Sequence, residues 1–161
     1  MPRLTLGLGD LAASGHQGDQ LVTLGLGSCV AIILRDRATR SAALAHVVVP
    51  GAPPPTDPTP RPAWYALAAV KNIFQAFRDI GGGRPEVVLV GGATAVGGLN
   101  GFDVGRRNVL AIRRALWGLG LVPLIEDVEG TMSRSVTVDV GQGLVSVRSP
   151  ETGTRILGNP E

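Results

Sequence analysis

The sequence is short of the groups on which many site chemistries depend. Its 161 residues hold one cysteine, Cys29, and two histidines, His16 and His46. One cysteine excludes an intrachain disulfide and any multi-cysteine metal site, and a solitary thiol fits a reducing compartment. Aromatic residues are only 4% of the chain and Lys71 is its single lysine. The net charge of +2 comes from near balance, with no dense Lys/Arg tract. Base stacking and phosphate neutralisation therefore have little to work with, and no nucleic-acid partner is expected. No apolar run approaches the ~20 residues of a membrane helix, and Met1 to Gly7 lack a basic start followed by an apolar signal core. The expectation is a cytoplasmic protein without membrane insertion, metal or cofactor.

What is present favours a folded core. The chain is 44% apolar and 17% charged, and its length suits one domain over residues 1–161. Leu4 to Leu8, Gln20 to Leu24, Val30 to Leu34, Ala42 to Val49, Val87 to Val90, Val122 to Ile125, Ser135 to Val140 and Leu144 to Val147 read as strands. Leu11 to Asp19 read as loop, and so do Leu99 to Gly105. Pro50 to Pro62 carry seven of the twelve prolines, a density that forbids a helix or central strand and marks an extended loop. Trp64 to Ile80 read as a helix with Leu67, Val70, Phe74 and Phe77 inward, stopped by Gly81 to Gly83. Asn108 to Leu119 read as a second helix with Val109, Ile112 and Leu116 inward and Arg106, Arg107, Arg113 and Arg114 at least partly solvated. A hairpin is expected across Gly141-Gln142-Gly143. The sum is an α+β protein with two main helices.

The stretch Thr23-Leu-Gly-Leu-Gly-Ser-Cys-Val-Ala-Ile-Ile-Leu-Arg-Asp36 places Cys29 at the mouth of an apolar run, and His46 lies on the returning strand. If Asp36 pairs with Thr39, or Arg35 with Arg40, Cys29 falls directly opposite His46 on one face, with Cβ atoms about 5 Å apart. A thiol needs a base to become a good nucleophile at neutral pH. Two readings stand at this point: an activated thiol, or a small buried cysteine beside an ordinary core histidine. His16 sits in a polar, glycine-containing stretch and reads as a loop residue. Gly25-Leu-Gly27 and the glycines from Gly91 to Gly98 complete no dinucleotide fingerprint or phosphate loop.

The linked set Thr23-Leu-Gly-Leu-Gly-Ser-Cys-Val-Ala, Asp36, Ala45-His-Val47 and Pro50 closely resembles the CheD family of chemoreceptor glutamine deamidases. The resemblance continues through Leu89-Val-Gly-Gly-Ala93, Gly105-Arg-Arg-Asn-Val109, Glu126-Asp127, Gly130 and Arg134-Ser-Val136. Departures are Leu67 in place of an aspartate, and Glu129-Gly-Thr131 in place of a Gly-Gly-Asn-like loop. The resemblance implies the α+β fold of the cytotoxic necrotizing factor toxins, and a Cys-His-Thr catalytic set carried here by Cys29, His46 and Thr23. The backbone N–H groups of Ser28 and Cys29 are candidates for an oxyanion hole. The implied reaction converts receptor glutamine side chains to glutamate through a thioester. The implied partners are methyl-accepting chemoreceptor cytoplasmic helices and a CheC-type phosphatase. A mainly non-catalytic adaptor binding receptor and phosphatase is the alternative reading.

Overall fold

The computed structural model describes residues 2–57, 61–94 and 103–158. Over these residues it is an α+β protein of ten strands and two helices. The strands are β1 Arg3–Leu6, β2 Leu11–Ser14, β3 Gln20–Leu26, β4 Val30–Asp36, β5 Ser41–Val47, β6 Glu86–Gly91, β7 Ile125–Val128, β8 Arg134–Asp139, β9 Leu144–Ser149 and β10 Gly153–Leu157. The helices are α1 Ala66–Asp79, before β6, and α2 Val104–Gly118, after it. One sheet has the order β1-β3-β8-β9-β10 and the other β2-β5-β4-β6-β7. Both are mixed: β1 runs parallel to β3 and β7 parallel to β6, and the remaining neighbours are antiparallel.

The two sheets and the helices form three layers, and alternation along the strands shows why. In β4, Ala31 and Ile33 face the other sheet, where they meet Leu21, Val136, Val138, Val145 and Val147. Val30, Ile32 and Leu34 face α1 and α2, against Ile73, Phe77, Ile112 and Leu116. A strand buried on both faces needs an unbroken apolar run, which is what Val30 to Leu34 supply. Alternation is clear in β8, where buried and half-buried positions follow one another.

Several boundaries differ from the sequence expectation. Leu11–Ser14 is a strand, not a loop; it pairs with β5 at a sheet edge and is poor in β-branched residues. β10 also forms a sheet edge and had no counterpart in the sequence reading. Helix α1 buries Ala66, Ala69, Val70, Ile73, Phe74 and Phe77, and Leu67, one position off that stripe, is 58% exposed. The strand expected at Val122 to Ile125 begins only at Ile125, because residues before it cross from α2 to the sheet with Val122 and Leu124 exposed. Helix α2 starts at Val104, ahead of the expected Asn108, since the Asp103 carboxylate accepts the Arg106 N–H as an N-cap. The expected loop from Leu99 to Gly105 lies outside the described residues as far as 102, as does the part of the proline-rich loop from 58 to 60.

The β8–β9 hairpin forms as expected, with Asp139 opposite Leu144 and Gly143 at φ +67°. Arg35, near the end of β4, is buried at one end of the inter-sheet layer. Its guanidinium donates to Glu86 Oε1 at 3.1 Å and to the Gly143 carbonyl at 2.9 Å, so it joins the two sheets. The layer and the helix face lead to unlike stability effects. Ile33→Ala should destabilise by about 2–5 kcal/mol, whereas Leu67→Ala should stay within about 0.5 kcal/mol. Urea unfolding of both variants checks this, and equal losses would contradict the placement of Leu67.

Candidate active site

The β4–β5 hairpin turns through Arg37-Ala38-Thr39-Arg40, with Asp36 opposite Ser41. This register is two residues beyond the expected one. The Asp36 carboxylate accepts from Ala38 N–H at 3.0 Å and from Gly83 N–H at 3.0 Å, and Arg40 takes φ +52°. Such an aspartate-capped turn holds four residues between the paired strand ends, where the Asp36–Thr39 register has two. His46 therefore stands opposite Ala31, and Cys29 precedes the strand by one residue. The expected direct opposition of Cys29 and His46 is not formed. A shift of two keeps every side chain on its face. Cys29 packs against the inter-sheet core with Ala31, and His46 continues the row of Ala42 and Leu44 into that same layer. The pair is diagonal rather than opposed.

Thr23 reaches the same place from the other sheet. Its Oγ1 lies 2.6 Å from His46 Nδ1 and 2.9 Å from the Leu6 carbonyl. Both side chains are buried, Thr23 at 0% and His46 at 3% exposure. A hydroxyl has one proton, and a carbonyl can only accept. With that proton donated to Leu6, Thr23 must accept from the ring, which assigns the proton to Nδ1. The lone pair then sits on Nε2, and His46 Nε2 is buried with no partner among the described residues. Leaving such an atom unpaired costs about 1–3 kcal/mol, so the imidazole is held in place yet open at its basic atom. The His46 backbone is fixed as well, accepting from Gly9 N–H at 2.9 Å and donating to the Asp10 carbonyl at 3.0 Å.

The segment carrying the cysteine is tied down from behind. The carbonyls of Gly27 and Cys29 accept from Ala93 N–H at 2.8 Å and Gly92 N–H at 2.9 Å. This approach requires glycine: a Cβ on Gly91 would lie 2.4 Å from the Cys29 carbonyl oxygen, and Gly91 is at φ +114°. Sequence reasoning missed Asn108, which is completely buried in the first turns of α2. It donates through Nδ2 to the Ser28 carbonyl at 3.0 Å and to the Val48 carbonyl at 2.9 Å. Its signal was a polar residue beside the inward Val109 and Ile112, a pattern that helix periodicity alone assigns to a flank. Of the arginines read as partly solvated, Arg113 is half-buried and paired with Glu126, while Arg106, Arg107 and Arg114 are exposed. His16 is exposed in the turn after β2.

Burial sets the protonation states. It lowers the His46 pKa, with the Asp10 charge pulling weakly the other way, and it raises the Cys29 thiol. Both shifts favour a neutral thiol beside a neutral imidazole. The arrangement offers a base atom, a hydroxyl that orients it, and a half-buried thiol at the end of an apolar layer.

A sequence model described as CheD chemotactic sensory transduction matches residues 49–149. The chain is 35% identical over 158 residues to the probable chemoreceptor glutamine deamidase CheD of Syntrophotalea carbinolica, covering 95% of this chain and 98% of that one. It is likewise 35% identical over 153 residues to the chemoreceptor glutamine deamidase CheD of Thermotoga maritima, covering 94% of each. A probable chemoreceptor glutamine deamidase CheD of the archaeon Methanococcus vannielii is 34% identical over 148 residues, 90% of this chain and 94% of that one.

The neutral pair has measurable consequences. At pH 7 the imidazole nitrogens of labelled protein should report a neutral ring protonated on Nδ1, and an imidazolium signal would contradict the assignment. Alkylation of Cys29 by iodoacetamide should rise with pH toward and beyond the ordinary thiol value near 9.0. A plateau already reached below neutral pH would instead reveal a preformed ion pair. Because the folded His46 binds its proton less well than the ordinary value of 6.5, the unfolded chain takes up more protons in the window just below that value. Stability from this group is thus fully present above it and declines as pH falls through the lowered folded-state pKa.

Proposed function

This chain belongs to the CheD family, and on that premise we propose that it is a protein-glutamine glutaminase that deamidates chemoreceptor glutamines by a Cys29-His46-Thr23 thioester mechanism. The observation that carries the mechanism is the Thr23–His46 contact at 2.6 Å with Nε2 left open. Residues 1–161 act as one deamidase domain in the cytoplasm, on the cytoplasmic helices of methyl-accepting receptors. A CheC-type phosphatase is a second proposed partner, on the strength of the family likeness.

The steps follow from the groups present. His46 Nε2 removes the Cys29 thiol proton as the sulfur attacks the side-chain amide carbon of glutamine. The carbonyl electron pair moves to oxygen, which faces the N–H groups of Ser28 and Cys29. Collapse of this intermediate re-forms the carbonyl and expels nitrogen, which takes the proton from His46 Nε2 and leaves as ammonia. Water then adds to the thioester with His46 again as base, and glutamate and the free thiol are released. Throughout, Thr23 keeps the Nδ1 proton engaged, so Nε2 faces the reaction in the correct tautomer. A neutral hydroxyl stabilises the imidazolium less than a carboxylate in this position, which accords with a site whose resting state is uncharged.

Receptor cytoplasmic fragments incubated with the protein should gain about one mass unit per converted glutamine, as hydrolysis of an amide to an acid requires. Cys29→Ala and His46→Ala should abolish that gain while leaving the far-ultraviolet spectrum intact. Thr23→Val should lower turnover by roughly 10- to 100-fold, less than the ~10⁴-fold seen when a triad carboxylate is neutralised. Full turnover by Cys29→Ala would refute the nucleophile assignment. Tight receptor binding by wild type with no mass gain would favour the adaptor reading.

A further inference from the structure

Asn108 has no part in the proton transfers above, yet it touches both halves of the site. Its two Nδ2 protons are spent on two carbonyls from separate segments: Ser28, next to Cys29, and Val48, two residues past His46. It enters from α2, whose first turn is pressed against the end of β6. A Cβ on Gly105 would lie 2.5 Å from the carbonyl oxygens of both Gly92 and Ala93. The Gly27 and Cys29 carbonyls are taken by Ala93 and Gly92 at the end of β6, and the Ser28 carbonyl by Asn108, which also holds Val48 just past β5.

In a planar trans peptide the N–H points opposite to the C=O. Drawing the Ser28 carbonyl to Asn108 on α2 therefore turns the Cys29 N–H away from that side chain. Cys29 packs on the inter-sheet side, away from the layer that α2 covers, and is half-buried, with Ser28 exposed.

We propose that Asn108 is a positioning residue for the oxyanion: by holding the Ser28 carbonyl it aims the Cys29 N–H at the amide oxygen under attack. This rests on the reading of Cys29 as the nucleophile. It also predicts a separation that a purely structural role does not. Attack on an amide builds negative charge on oxygen, whereas alkylation of a thiol by iodoacetamide displaces iodide at a tetrahedral carbon and builds none.

The test compares Asn108→Ser and Asn108→Ala with wild type, each assayed well below its own unfolding midpoint. Expected is a fall in kcat for receptor deamidation of about 10²- to 10³-fold, the effect of losing one oxyanion donor, with KM nearly unchanged. The rate and pH profile of Cys29 alkylation should stay near wild type. A kcat within about twofold of wild type, or an alkylation rate that falls in step with kcat, overturns the proposal. A second measurement uses wild type alone and needs no folded variant. A receptor peptide whose target glutamine is replaced by glutamate semialdehyde adds the Cys29 sulfur to its aldehyde carbon, and the carbonyl oxygen becomes the oxyanion or, once protonated, the hydroxyl of a hemithioacetal. The amide proton of Cys29 should move downfield on adduct formation, and an unmoved resonance overturns the proposal. Deamidation persisting in Cys29→Ala, or no adduct at all, would instead overturn the nucleophile reading.

Discussion

The hydrogen bond between Thr23 and His46 is the contact on which the site depends, because it is made between sheets. Thr23 belongs to β3 of one sheet and His46 to β5 of the other. The layer between those sheets is apolar over most of its extent, and such a layer tolerates a polar pair only when its hydrogen bonds are made. Here they are made at every point except one. Thr23 is satisfied by Leu6 and the ring, the ring's Nδ1 by Thr23, and of this pair only His46 Nε2 stays open. The same packing that stabilises the sandwich thus selects a tautomer and leaves one ring nitrogen unpaired.

The layer has a polar closure at another point as well. Arg35 lies on the same face of β4 as Ala31 and Ile33, and it bonds to a neighbouring strand and to the β8–β9 hairpin. The two closures do different things. Arg35 finds partners for its charge and ties the sheets together. For His46, burial disfavours the charged form, and a neutral ring is what the proposed general base needs before it accepts a proton. Glycine serves this arrangement at β6, where Gly91 and Gly92 let the Cys29 backbone and α2 approach as closely as they do.

How far the sequence carried can be judged from individual residues. Val30 to Leu34 announced a strand buried on both faces, and Val70, Phe74 and Phe77 announced the inner stripe of α1. Leu67 misled because its spacing fits that stripe almost as well as Ala66 does, and periodicity counts an alanine for little even when it packs at the centre. β2 and β10 were illegible because edge strands need pair on only one side and carry weak patterns. The hairpin register came out two residues short because the side chain of Asp36 caps the turn, and that bond draws on Gly83, far away in sequence. The error was even, so the predicted face survived although the predicted opposition did not.

The sequence by itself determined which groups are available: one thiol, a histidine on the returning strand, a threonine six residues before the thiol, and the alternation that turns them toward one layer. Those follow from residue identity and from the two-residue period of a strand. Only the tertiary structure decided that Thr23 meets Nδ1 rather than solvent, that Nε2 is left unpaired, and that Asn108 reaches both Ser28 and Val48. These contacts join β3 to β5, and α2 to segments sixty and eighty residues away. No local rule reaches that far, because such pairs are fixed by how whole layers pack and not by the conformation of any one stretch.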